Sequence, residues 1–286
     1  MQKDKDLLIL PSVQNIDEII SGLATPVNVT KGKFSNLEFI IKDDVITLMH
    51  SGVDIKDFSN VWLSSMWGTR DLAFAVKLYL KHFNIDHTHV EKGTSKVTDQ
   101  VIFTLNNIPT PNTYFISKVD ITKHVEEIEN VCGYPLIIKD ITGFGGKNSV
   151  LVSNRNELIE KSAQLPRQKR YLYQSFIPND YDWGILIANG KIVATEKRYH
   201  KEGEFRNNIC NGSLEVFVEK ETVPNHIKEM AMQANKALGL FWSRSDIIVD
   251  KNTDKAYMME VNRLPGITSG TMEVSGAQDF LNFHLA

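Results

Sequence analysis

A chain of 286 residues, 42% apolar and 23% charged, is long enough to bury a core without disulfide or metal staples and to divide into two or three modules. Its formal net charge of −3 gives no electrostatic reason to expect nucleic acid or an anionic membrane as a partner. Cys132 and Cys210 are far apart and lack zinc-ligand spacing, which fits a reducing, cytoplasmic setting, and no apolar run approaches the ~18 residues of a membrane span.

Near the start only residues 7–10 are continuously apolar, too short for the core of a signal peptide. Residues 37–41 and 45–49 read as strands about the turn Asp43–Asp44, and residues 61–63 as another short strand. Thr69 is placed to cap a helix whose apolar stripe is Leu72, Val76, Tyr79, Leu80 and Phe83. That order predicts a βαβ-like module over 1–93 with no phosphate loop. A second module, 94–170, opens with a helix over 95–105 carrying Val97, Val101, Ile102 and Leu105, then the breaker Ile108-Pro-Thr-Pro. A helix over 122–131 with Val125, Ile128 and Val131 inward follows, then strands at 136–140 and 149–152 around a glycine turn, and a helix over 156–164. The basic run 167–170 reads as a solvated surface segment. The third module, 171–286, has strands at 171–177, 184–188 and 191–196, a helix over 225–238, and a closing hairpin of 245–249 with 256–261.

Chemistry gathers in three places. In Tyr257-Met-Met-Glu-Val-Asn262, period-2 alternation puts Met258, Glu260 and Asn262 on one face. Folding about Asn252–Thr253 then brings Asp246 opposite residues 258–260. The result is three hard oxygen ligands without His or Cys, suited to Mg²⁺ or Mn²⁺ rather than zinc; an exposed polar hairpin face is the plainer alternative. In Lys139-Asp-Ile-Thr-Gly143-Phe-Gly145-Gly146-Lys147, glycines let backbone N–H groups approach phosphate oxygens, although a hairpin turn without ligand has the same appearance. The spacing is not that of a Walker A loop. Asn148 leads into an apolar strand and not a helix, which also argues against a dinucleotide fingerprint and the oxidoreductase it would imply. The segment Tyr173-Gln-Ser-Phe-Ile177 ends a strand able to offer backbone groups to an adenine edge. Asp182 can accept from ribose, and Arg198 and Arg206 can face phosphate or a developing oxyanion.

In this order the segments resemble the ATP-grasp ligases, and among them the RimK-type glutamate ligases and their peptide-modifying relatives. The resemblance covers about residues 94–270. It rests on Ser95-Lys96 before Ile108-Pro-Thr-Pro, Pro135-Leu-Ile-Ile-Lys139 before the glycine turn, Gln174-Ser-Phe-Ile177 with Asp182, and Lys197-Arg198 ahead of Glu202-Gly-Glu-Phe-Arg-Asn-Asn208. It ends with Asp246 and Glu260-Val-Asn-Arg-Leu-Pro-Gly266. It implies an α/β (α+β) ATP-grasp fold: a small N-terminal α/β domain (1–93), a central lid subdomain (94–170) and a C-terminal subdomain with the metal site (171–286).

The resemblance also implies ATP, with Lys96 and Lys139 on its phosphates, Gly143, Gly145 and Gly146 in a lid, Ser175, Phe176 and Ile177 at the adenine and Asp182 on the nucleotide. Arg206, Asn207 and Asn208 would lie beside the phosphates, with Arg206 and Arg198 serving catalysis. Asp246, Glu260 and Asn262 would hold two Mg²⁺ or Mn²⁺ ions, Glu260 bridging. The implied activity is ATP-dependent carboxylate–amine ligation through an acyl phosphate, on small-molecule or peptide carboxylates and amines; a homo-oligomer stays open. The alternative is a regulatory module of the same fold that binds ATP and ligates nothing. Three positions depart from the family pattern: Gly184 stands where an arginine is frequent, Asp140 where a proline is frequent, and Arg263-Leu264 where Ala-Ser is frequent. They bear on the substrate more than on the ATP site.

Overall fold

The computed structural model describes residues 5–117, 121–143, 145–146, 149–166, 168–201, 203–204 and 212–286. In chain order the elements are β1 (Lys5–Leu10), α1 (Ile16–Ser21), β2 (Val27–Lys31), β3 (Leu37–Lys42), β4 (Val45–His50), β5 (Val53–Asp54), β6 (Asn60–Leu63), α2 (Arg70–His82), β7 (Asp86–His87), α3 (Lys96–Leu105), β8 (Thr113–Phe115) and α4 (Val125–Cys132). There follow β9 (Leu136–Asp140), β10 (Ser149–Val152), α5 (Arg155–Ala163), β11 (Tyr171–Ser175), β12 (Tyr181–Ala188), β13 (Lys191–Tyr199), β14 (Leu214–Phe217), α6 (Asn225–Leu238), β15 (Trp242–Val249), β16 (Ala256–Asn262) and α7 (Met272–Leu285). Among the described residues no helix is long and apolar enough to cross a membrane.

The first module is a parallel sheet in the order β2-β1-β6-β7, with a small antiparallel sheet β3-β4-β5 beside it. Its helix α2 buries Ala73, Val76, Tyr79 and Leu80, whereas Leu72, expected on that stripe, is 42% exposed. Thr69 precedes the helix as expected but does not cap it; its hydroxyl accepts instead from the Met66 N–H. The apolar run at 7–10 is the centre strand β1, fully buried and paired on both edges.

The middle of the chain builds an antiparallel sheet, β10-β9-β11-β8. Strand β11, expected in the third module, pairs with β9 and β8, so the divide expected at 170/171 runs between strands of one sheet. Alternation sorts its residues cleanly. Leu136, Ile138 and Tyr173 pack with α4 and α5 residues in one core, while Ile137, Lys139, Leu172 and Gln174 face a cleft. Val131, expected inward on α4, is 38% exposed, and Cys132 is buried in its place.

The last part is an antiparallel sheet, β14-β13-β12-β15-β16. One face packs on α6 through Trp183, Ile185, Ile187 and Ile247. The other face changes character along its length. At one end Leu186, Ala188, Ala194 and Trp242 join a core with α7 and with β1, α1 and β6 of the first module. At the other end the same face carries Asp182, Asp246 and Glu260, opposite the middle sheet.

Candidate active site

The two antiparallel sheets and α3 enclose a cleft lined by Lys96, Gln100, Lys139, Asp182, Asp246 and Glu260. Helix α3 enters it side-on. Ser95 caps the helix by accepting from the Thr98 N–H at 3.3 Å, and one turn separates Lys96 from Gln100, so both reach the cleft. The expected apolar stripe of α3 is not its buried face: Val101 and Leu105 are 50% and 77% exposed, while Asp99, Gln100 and Phe103 are buried. The reason is chemical, since that face turns toward polar partners. Gln100 donates to the Met259 carbonyl at 3.0 Å, and Asp99 takes both Arg263 Nη1 and Nη2, at 2.6 and 2.9 Å.

On β9, Lys139 donates to Gln174 Oε1 at 2.6 Å, and Gln174 in turn donates to Thr113 Oγ1 at 2.9 Å and Gln100 Oε1 at 3.4 Å. Enclosure of its ammonium, with Lys96 adding like charge, brings Lys139 down to about 8 despite the opposing pull of Glu260. Gly145 and Gly146 have φ of 61° and 66°, a conformation that suits glycine, and Gly146 lines the cleft. Gly143 donates its N–H to the Asp140 carbonyl at 3.1 Å. Asp140, at the family's proline position, anchors this turn by accepting from Thr142 and from Lys169 Nζ at 2.7 Å. Lys169, half-exposed, is therefore tied down and is not simply part of a solvated basic run.

The C-terminal hairpin supplies the carboxylates. Asp246 and Glu260 are register partners across β15 and β16, and Asn262 Nδ2 donates to Asp246 Oδ2 at 2.8 Å. The three oxygen-bearing side chains expected to converge do so, but Met258 does not share their face. A β-bulge between Asp246 and Ile247 breaks strict alternation, so Met258 and Val261 sit in the α6 core while Met259 and Glu260 both line the cleft.

Arg198 is buried between Asp182 Oδ1 at 2.8 Å and Asp246 Oδ1 at 2.7 Å. Burial holds Asp182 and Asp246 above the ordinary carboxylate range, Asp182 to about 7, although Arg198 pulls both down. For Glu260 burial pushes the same way, but its ion pair with Lys96 and the nearby Lys139 outweigh it and hold it below that range. Asp246 thus meets Arg198 through Oδ1 and Asn262 through Oδ2. Two carboxylates and an amide oxygen are the donor types that suit a hard divalent cation. Among the described residues no group of three or more His, Cys, Asp or Glu is placed to hold a metal ion.

Other expected residues fare differently. Ser175, Phe176 and Ile177 do not line this cleft. The Ser175 N–H goes to the Asn112 carbonyl, its hydroxyl to the Cys132 carbonyl, and the Phe176 N–H to the Pro135 carbonyl. Arg206, Asn207 and Asn208 lie outside the described residues. Three residues were not expected. Gln100 is legible as the i+4 neighbour of Lys96; Gln174, whose register partner is Ile137, reaches Lys139 diagonally across β9 and β11. Arg244, two residues before Asp246 on one strand face, is buried; it pairs with Glu273, donates to the Gly266 carbonyl at 2.8 Å, and lies 3.5 Å from Glu196. Glu196 is pushed up to about 9 by burial, against Arg244 and Arg198, and it occupies the space over Gly184, where an added Cβ would lie 2.2 Å from Glu196 Oε1. That contact explains why no side chain stands at position 184.

Two antiparallel sheets closing on a cleft with lysines on one wall and carboxylates on the other define an ATP-grasp fold. The same architecture recurs in D-alanyl-alanine synthetase A from Vibrio cholerae, with a TM-score of 0.72 and 14% identity over 100% of this chain and 98% of that one. It recurs in the ATP-grasp ligase PsnB complexed with a minimal precursor, with a TM-score of 0.69 and 14% identity over 98% and 99%. The chain belongs to the RimK-like ATP-grasp family, whose domain matches residues 94–280. It is 32% identical over 191 residues to the probable alpha-L-glutamate ligase of Psychromonas ingrahamii, covering 65% of this chain and 60% of that protein. The chain thus spans about three-fifths of the length of that curated relative.

Proposed function

We propose that the protein is an ATP-dependent, ADP-forming carboxylate–amine ligase. The observation that carries the reading is the convergence of Asp246, Glu260 and Asn262 on one wall of a cleft whose facing wall bears Lys139, with Lys96 reaching Glu260 from α3. Asp246, Glu260 and Asn262 would hold Mg²⁺ or Mn²⁺, two ions by family analogy, which when bound neutralise phosphate charge. Lys96 and Lys139 orient the triphosphate, which adds to the pull that Glu260 already exerts on Lys139. The substrate carboxylate attacks the γ-phosphorus and ADP leaves. The amine then attacks the acyl carbon, the new C–N bond forms and phosphate departs. Arg244, buried one register step from Asp246, is suited to the charge that develops on the acyl oxygen. Gly143, Gly145 and Gly146 belong to a covering turn that keeps water from the acyl phosphate. We further propose a three-part division that keeps the boundary near 93 and moves the one expected at 170/171 past β11, which pairs within the middle sheet, and a cytoplasmic site of action.

The relatives' name makes L-glutamate the first substrate to test, alone and with peptide acceptors. In a coupled assay of ADP release, activity dependent on both a carboxylate and an amine is expected. Glu260→Ala should lower it by about 10²–10³ while far-UV circular dichroism is unchanged. Retention of more than about a tenth of the wild-type rate would remove Glu260 from the site. Tight ATP binding without ADP release on any substrate would favour the non-catalytic regulatory module.

A further inference from the structure

The small sheet of the first module ends in a strand whose outer edge is open. In the order β3-β4-β5, β3 is the last strand, and among the described residues it pairs only with β4. Asp43 and Asp44, at φ of 50° and 62°, make the two-residue turn that joins Lys42 to Val45. Lys42 and Val45 therefore form a hydrogen-bonded pair, and such pairs recur at Ile40 with Thr47 and at Glu38 with Met49. The bond from the Ser51 N–H to the Asn36 carbonyl, at 3.2 Å, keeps the same phase. Phe39 and Ile41 fall between these pairs, so their backbone N–H and C=O groups point away from β4, to the open side.

Edge strands of folded proteins are usually blunted by charge, proline or a covering loop, because an open edge pairs with another chain. The centre of β3 has none of these. Phe39, Ile40 and Ile41 are all exposed, Ile41 by 75%, and they occupy both faces of the strand. Val45, across the turn, is exposed as well. An apolar run laid open in this way marks an interaction surface. None of these residues lines the cleft.

The order of the residues selects the partner. Laid antiparallel on itself and centred on Ile40, the segment Glu38-Phe-Ile-Ile-Lys42 is self-complementary: Glu38 faces Lys42, Phe39 faces Ile41, and Ile40 faces its own copy. In that register Phe39 and Ile41 make the hydrogen-bonded pairs, which engages the groups that point outward. Glu38 and Lys42 make pairs without backbone bonds, where side chains approach most closely, and opposite charges placed there are stabilising. Sliding the centre one residue toward the turn sets Glu38 against Asp44, and sliding it one residue the other way leaves Lys42 against Asn36.

We propose that β3 is a contact between two copies of this chain. They pair antiparallel along Glu38–Lys42, about a two-fold axis through Ile40, and join their small sheets into one. The contact is independent of the ligase reading.

Sedimentation equilibrium of the whole chain tests it. Wild type should reach twice the chain mass by about 100 μM. Glu38→Lys alone sets lysine against lysine at both ends of the contact, and Lys42→Glu alone sets glutamate against glutamate. Each should weaken self-association by about tenfold or more. Far-UV circular dichroism should be unchanged, since both side chains are exposed. An equimolar mixture of the two variants should recover the dimer, because every facing charged pair is then lysine with glutamate. The chain carrying both substitutions should dimerise alone for the same reason. The proposal is overturned by a wild type still monomeric at about 100 μM, which would leave the edge to an unlike partner. It is overturned equally by single variants that associate as wild type does, which would place the dimer elsewhere on the surface, or by a mixture of the two that stays monomeric.

Discussion

Lys139 is a cation held where the protein alone disfavours its charge. Its level of about 8 lies below the ordinary 10.5, so the unfolded chain binds the proton more readily than the fold between those values. By linkage this group opposes folding below about pH 8 and ceases to do so as pH rises through that window. A triphosphate beside it reverses the preference, since a nearby anion favours the ammonium. ATP binding should therefore take up protons just above about pH 8, and affinity should fall as pH rises further. Titrations at one pH in buffers of different ionisation enthalpy measure the uptake. It should vanish near pH 6, and Lys139→Met should eliminate it while weakening ATP; equal heats in all buffers above pH 8 would exclude Lys139 from the phosphate site. At Gly184 the argument is steric. Glu196 is 1% exposed and cannot withdraw from a new Cβ 2.2–2.8 Å from its carboxylate and Cγ. Gly184→Ala should cost about 1–3 kcal/mol in urea unfolding, and a loss that persists undiminished in a Glu196→Ala background would show that the contact is not the cause.

Elements differ in how plainly they announce themselves. Helix α6 was legible to the residue, because Ile227, Met230, Ala234 and Leu238 recur at helical spacing against a polar remainder. The C-terminal hairpin was legible too, with Asp246 opposite the expected stretch 258–260, at Glu260. What defeated the period-2 reading was the bulge, a two-against-one pairing that alternation cannot represent and that returned Met258 to the core. The face of α3 was misread because its buried residues are Asp99 and Gln100, whose partners Arg263 and Met259 are distant in sequence. Arg244 escaped for the same reason: its partner Glu273 lies on α7, and α7 itself went unread because Val274, Ala277, Phe280, Leu281 and Leu285 spread over a wide arc with no sharp polar face. That helix offers its own test. Gly276 sits mid-helix, where alanine is intrinsically better by about 1 kcal/mol, but a Cβ there would lie 2.7 Å from Val193 Cγ2. The clash should win: Gly276→Ala is expected to lower the melting temperature, and Val193→Ala in the same chain to recover part of it. A rise in melting temperature for the single variant would mean that α7 shifts freely on β13.

At the scale of the whole molecule, the boundary near residue 93 is crossed by one core, although Leu8, Leu48, Val76 and Leu80 belong to a second core made of first-module residues alone. Trp62 of β6 meets Trp242 of β15 at 5.5 Å between ring centres, and Phe280 of α7 touches both at 5.2 Å. Around this triad Leu7, Ile9, Ile16 and Ile19 from the first module pack with Leu186, Ala194, Val274 and Leu281 from the last. The first module thus buries one face of its sheet against residues more than half the chain away, which fixes Trp67 beside Lys96. Phe280 is fully buried, so Phe280→Ala should cost about 3–5 kcal/mol, the range for deleting a buried aromatic. Because the cavity opens in a core common to both ends of the chain, the loss should appear as one lowered transition, coincident by tryptophan fluorescence and far-UV circular dichroism. Residues 1–93 expressed alone, which keep the core around Leu48 and Leu80 but uncover the Trp62 face, should melt well below the whole chain. Two separated transitions in the variant, or a fragment as stable as the whole chain, would mean that the first module stands by itself and that its hold on the cleft comes from surface contact alone.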